Sequence, residues 1–198
     1  MNVAELKKIM ELLLNRAGTK LFDSYHEFES KETRIIFPQK RDGSIRVSEQ
    51  EMRFAFVEAF NETYPDYSEK LYYAVEVPTK DLYDFRTIPP QIGKGQSAMF
   101  DLVLYDVNGP RVFIEFKGNN PSAEHYNKDF CKLENAIEYG EKNNTLRYFI
   151  EILKNSNKGT KTSLSRKCIE HPDIIFKFFD LSSGSYLTDI KLLLSAKT

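Results

Sequence analysis

The feature that most restricts this chain is a pair of apolar runs with charge inside them. Residues 100–107 read FDLVLYDV and residues 111–118 read RVFIEFKG, with Asn108-Gly109-Pro110 between. Such runs joined through Asn-Gly predict two adjacent strands, Phe100–Val107 and Arg111–Lys117, closed as a hairpin. Side chains alternate faces along a strand. Phe113, Glu115 and Lys117 therefore share one face, and Val112, Ile114 and Phe116 the other. A carboxylate and an ammonium two residues apart in an apolar strand are costly to bury without a partner or a metal. Asp101 stands in the same way at the head of the neighbouring strand. The alternative for Glu115 and Lys117 is a cross-strand ion pair on a solvated face.

The register of the hairpin decides whether these groups can meet. A strict two-residue Asn108-Gly109 loop pairs Val107 with Pro110 and hence Asp101 with Phe116. Asp101 then faces away from Glu115 and Lys117, because a one-residue slip exchanges the faces. A shared site requires a loop of three or five residues, or a bulge. Pro110 has no amide to offer a closing pair, which favours an odd-numbered connection.

The flanking pattern predicts the rest of the fold. A helix over 3–16 carries Val3, Leu6, Ile9 or Met10, and Leu13 on one face. A short strand is expected at Thr33–Phe37 and a turn at Arg41–Ser44. Ser48 and Glu51 have capping-box spacing and open a helix that runs to about Thr63. Leu71–Val77 reads as a strand ended by Pro78, followed by a long loop over 79–98 that holds Pro89, Pro90, Gly93 and Gly95. A helix is expected at Asn127–Tyr139 and a strand at Leu146–Leu153. A polar stretch and a strand at Ile174–Phe179 follow. The order helix, strand, strand, strand, helix, strand predicts an α/β fold with a central mixed sheet flanked by helices. It suits one domain over 1–198, with a core of about 48–153, an N-terminal helical extension and a C-terminal strand extension.

Composition narrows the function classes. Apolar residues make up 41% and charged residues 29%, ordinary for a soluble globular chain. No apolar run is long enough for a membrane span, and the first residues lack a signal-peptide layout. Cys131 and Cys168 have no metal-ligand spacing, and with three scattered histidines a zinc site is not expected; two thiols suit a cytoplasmic compartment. The formal net charge is −1, so any nucleic-acid affinity must come from local patches.

An aspartate followed on the next strand by Glu-x-Lys is a set suited to phosphodiester hydrolysis. Carboxylate oxygens can hold Mg²⁺, which activates water and stabilises a leaving oxygen. A lysine beside them can orient the water or offset phosphate charge. Phe100-Asp101 followed by Glu115-Phe116-Lys117 resembles the PD-(D/E)XK nuclease superfamily, the restriction-endonuclease-like fold, over roughly Ser48 to Leu153. Phe100 stands where the family pattern has proline. The resemblance implies a divalent-metal-dependent nuclease acting on DNA ahead of RNA, with Mg²⁺ as cofactor and Mn²⁺ able to substitute. It implies Asp101 and Glu115 as metal ligands and Lys117 beside the attacking water.

Further residues are candidates for the same site. Glu49 matches the helix glutamate that completes the metal shell in many members; a Glu49–Arg53 pair four residues apart is the alternative. On helical geometry Glu49, Arg53, Phe56 and Phe60 fall in one sector, with Glu51, Glu58, Glu62 and Ala55 roughly opposite. Glu76 on the preceding strand could also reach the site. Lys128 and Lys132 lie on the polar face of the helix after Lys117, and Lys132 is the candidate phosphate contact. Ser97, Lys158 and Lys161 lie in stretches without acidic residues that suit phosphate binding. A homodimer would suit cleavage of both strands of a duplex. The rival reading is a catalytically silent nucleic-acid-binding or scaffold domain of the same fold.

Overall fold

The computed structural model describes residues 1–26, 33–63, 71–87, 90–119, 121–136 and 144–187. A seven-stranded mixed sheet in the order β2-β1-β3-β4-β5-β6-β7 is flanked by four helices. Its strands are β1 (Tyr72–Asp84), β2 (Gln91–Ile92), β3 (Gln96–Asp106), β4 (Gly109–Gly118), β5 (Leu146–Leu153), β6 (Ile175–Asp180) and β7 (Ser185–Tyr186). The helices are α1 (Val3–His26), α2 (Glu49–Thr63), α3 (Ala123–Asn135) and α4 (Lys158–Glu170). β3 and β4 are antiparallel, whereas β4, β5 and β6 run parallel.

Every residue of β5 is buried. The central parallel strands are covered on both faces, which is why they read as near-continuous apolar runs. On one face Leu102, Leu104, Ile114, Phe116 and Ile150 pack with residues of α1 and α2, such as Leu13 and Phe56. On the other, Val103, Phe113 and Phe149 pack with Phe130 and Leu133 of α3 and Leu164 of α4. No helix among the described residues is long and apolar enough to cross a membrane.

Several expected elements are corrected. α1 does not stop at Arg16 but continues to His26. Gly18 is no terminator; a Cβ there would lie 2.6 Å from the Phe179 ring, so glycine lets α1 approach β6. Residues 33–37 form no strand, and only an isolated Gln39–Ile45 bridge occurs nearby. β1 runs through Pro78 to Asp84, so most of the expected 79–98 loop belongs to β1, β2 and β3. There β1 is an edge strand, since β2 pairs only with Tyr83 and Asp84, and an edge tolerates a residue without an amide. α3 begins at Ala123 rather than Asn127, and the expected end at 137–139 lies outside the described residues. The polar stretch after β5 holds α4, whose N-cap Asn157 accepts the Thr160 amide.

The hairpin has an even connection, not an odd one. Asp106 pairs with Gly109, which leaves Val107 and Asn108 as a two-residue turn. The register then shifts, because Tyr105 pairs with Pro110 but Leu104 with Val112. Arg111 is the extra residue of a β-bulge. The bulge restores the parity that the loop does not supply: Leu102 pairs with Ile114, so Asp101 falls opposite Glu115.

Candidate active site

β3 leaves β4 at Asp101. The ladder reaches Leu102–Ile114, and the next free amide, Phe116 N–H, donates to Asp101 Oδ2 at 2.7 Å. The strand also turns here. Leu102 and Leu104 face the α1–α2 side and Val103 the α3–α4 side. Alternation would put Phe100 with Leu102, but its ring lies on the α3–α4 side, 5.0 Å from that of Phe113. In β1, Val77 pairs with Phe100 and packs on the same side. Glu76, opposite Asp101 in this register, has φ +52°, left-handed backbone that costs a non-glycine residue about 1–2 kcal/mol. Strain of this kind persists only where the surroundings impose it. The β1–β3 ribbon thus turns at Glu76 and Asp101 and reaches α3, where Lys128 Nζ stands 4.5 Å over the Phe85 ring.

Four carboxylates and two ammonium groups gather at this fork. Lys132 Nζ lies 2.6 Å from Glu115 Oε1 and 2.9 Å from Asp129 Oδ1. Lys117 Nζ lies 2.9 Å from Asp129 Oδ2 and 3.5 Å from Glu49 Oε2. Asp101 feels the charges of Lys117, Lys132 and Glu49, and Glu115 that of Asp101. With Glu49, Asp101, Glu115 and Asp129 against Lys117 and Lys132, the cluster is formally two negative charges in excess. Glu115 is wholly buried. Its ion-pair partner among the described residues is Lys132, whose ammonium stands against Oε1.

This environment splits the acidities. Burial, then the charge of Asp129, pushes Glu115 well above the usual carboxylate range against the pull of Lys132. Burial also raises Asp101, opposed by the Phe116 amide and Lys117. Burial works to raise Asp129 too, but Lys132 and Lys117 outweigh it and hold that group below its ordinary value. Both lysines are raised: burial favours their neutral forms, and the surrounding carboxylates override it.

Glu49 and Lys117 reach each other because α2 starts against the end of β4. The Glu51 side chain folds back on Ser48 as in a capping box, and its Oε2 accepts the Ser48 amide at 2.8 Å and the Ser48 hydroxyl at 2.7 Å. Glu51 and Ala55 are buried rather than turned to solvent, while Glu49 and Arg53 sit at the rim of the helix's buried face. Arg53 does not take Glu49. It bonds Gln50 Oε1 and Glu76 Oε1. A cleft lined by Arg46, Ser48, Glu49, Lys117, Gly118 and His125 opens onto the cluster.

The expected phosphate contacts are placed differently from one another. Lys132 is not on a solvated face; it is only 4% exposed, and its ammonium also donates to the Met99 carbonyl at 2.9 Å. Lys128 is half-buried against Phe85. The Ser97 hydroxyl donates to the Thr79 carbonyl at 3.3 Å. Lys158 and Lys161 lie in the first turn of α4 and form no ion pair among the described residues. Asp129 is the residue that sequence reasoning missed. Its signal was the i,i+3 spacing to Lys132 at the border of the stripe formed by Phe130 and Leu133.

Among the described residues no three His, Cys, Asp or Glu side chains already converge as a metal site. The donor set nonetheless fits a hard divalent cation, since it offers carboxylate oxygens of Asp101, Glu115 and Glu49 at one fork, with carboxylates outnumbering the ammonium groups. Comparison with family models, with curated proteins and with solved structures found no match to this chain.

Proposed function

We propose that this chain is a divalent-metal-dependent nuclease with a restriction-endonuclease-like core, hydrolysing phosphodiester bonds in DNA ahead of RNA. The observation that carries the reading is the cluster at the β3–β4 fork: four carboxylates against two ammonium groups, with Glu115 wholly buried at its centre and Glu49 at its rim. Buried charge of this kind calls for a counter-charge. Asp101 and Glu115 would hold Mg²⁺ or Mn²⁺, with Glu49 at the rim as a further oxygen donor. The bound ion would supply Lewis-acid activation of water and of the phosphate. Lys117, at the cleft floor, would orient the attacking water and offset charge on the phosphate. Lys128, Ser97, Lys158 and Lys161 are carried forward as nucleic-acid contacts. A cytoplasmic setting, which two free thiols suit, and a homodimer cutting both strands belong to the same reading.

The test is plasmid cleavage by the full chain with Mg²⁺, Mn²⁺ or chelator. Cation-dependent nicking that Asp101→Ala abolishes is the expected result. A second reading has its own observation: Lys132 and Lys117 already partner Glu115 and Asp129, as in a site kept for architecture. DNA binding without cutting under either cation would favour that silent, nucleic-acid-binding form.

A further inference from the structure

Lys132 is the group that the nuclease reading does not require. It enters from α3, is buried, and places its ammonium against Glu115, the carboxylate most in need of a counter-charge. A divalent cation drawn to the same carboxylate would stand close to that ammonium, and like charges at short range in a poorly solvated site repel strongly. Both cannot use Glu115 fully at once. The ammonium already has two other holders, Asp129 Oδ1 and the Met99 carbonyl, each at 2.9 Å. It can give up Glu115 without entering solvent. Asp129 meanwhile uses its other oxygen to hold Lys117.

We propose that Lys132 is a resident counter-ion for Glu115 that yields to an incoming divalent cation, and that Asp129 is the positioning residue that retains it. The inference rests on the metal-dependent reading above. The metal-free fold then avoids an uncompensated buried Glu115, and cation affinity is set by competition with an internal ammonium.

The two residues carry effects of opposite sign on cation binding. Lys132→Met removes the competitor, so Mn²⁺ binding to the full chain, followed by titration calorimetry, tightens by about tenfold. Asp129→Asn weakens the refuge of the displaced ammonium and loosens Mn²⁺ by a similar factor. A merely structural role for both would weaken binding in both variants. If wild type binds no Mn²⁺, the metal reading fails and this inference with it. If wild type binds but Lys132→Met binds equally or less tightly, the exchange alone is overturned. Should circular dichroism show Lys132→Met unfolded, Asp129→Asn decides: affinity equal to or above wild type overturns the proposal.

Discussion

Gly118 runs so close to Ser48 that a Cβ at position 118 would lie 2.7 Å from the Ser48 carbonyl carbon. This contact joins the end of β4 to the start of α2 and brings Glu49 within reach of Lys117. Gly118→Ala must push α2 away from the fork. We expect a folded protein by circular dichroism with cleavage reduced by about 100-fold, the size of loss that a displacement of about 1 Å can cause. Unchanged cleavage would show that the helix contact does not set the site.

Glu115→Gln should separate stability from activity. The substitution removes one charge from a buried cluster with negative charge in excess. The metal-free protein is expected to gain about 1 kcal/mol at neutral pH, or about 2–4 °C in Tm for a chain of this size. Cleavage should be lost. A lowered Tm would mean that the Lys132–Glu115 pair outweighs the burial of the carboxylate.

The pH dependence follows from the directions of the shifts. Glu115 and Asp101 hold protons more tightly folded than unfolded, so the stability they contribute is present at low pH and is lost as pH rises through their folded pKa values. Asp129 works oppositely; its contribution is present above its unfolded pKa and is lost as pH falls through the folded one. Both raised groups must be ionised to hold a cation. The acid limb of metal-dependent cleavage should therefore lie above the ordinary carboxylate range, and Glu115→Gln should flatten the decline of metal-free Tm from mildly acid to neutral pH. An acid limb at the usual carboxylate pKa counts against the burial argument.

Gly18→Ala tests the packing of α1 on β6. A methyl group 2.6 Å from the Phe179 ring has no room, and overpacking of this kind costs about 1–3 kcal/mol. Because α1 lies on the face away from Lys132 and Asp129, cation dependence should survive. Denaturant titration would read the loss.

What the sequence disclosed, and what it hid, follows from how many residues carry each signal. β5 was legible to the residue because six of the eight residues in LRYFIEIL are apolar and polar residues bound it on both sides. The shared face of Glu115 and Lys117 followed from alternation within one regular strand. α4 was hidden because only Leu164, Cys168 and Ile169 interrupt a polar run, too thin a stripe to mark a helix. The break of alternation at Asp101 was hidden because it depends on the left-handed backbone of Glu76, a residue type that does not announce one. Lys132 looked solvated because helical periodicity alone cannot show that β4 presents a carboxylate to that edge of α3.

The bulge at Arg111 has a consequence for variation in the hairpin. Its guanidinium is tied to Asp106, to the Asn144 carbonyl and to the Met1 carbonyl, so the surplus residue is clamped in place. Excising it would straighten β4 without changing a single pair: Leu104 would still meet Val112, and the acid at 101 would still lie across from Glu115. The vulnerable positions are the paired ones beyond the clamp. A single-codon deletion of Phe113 would draw every later position of β4 back by one and deal the acid at 101 a phenylalanine as neighbour, whereas one that also removed Val103 from the opposite strand would restore the count.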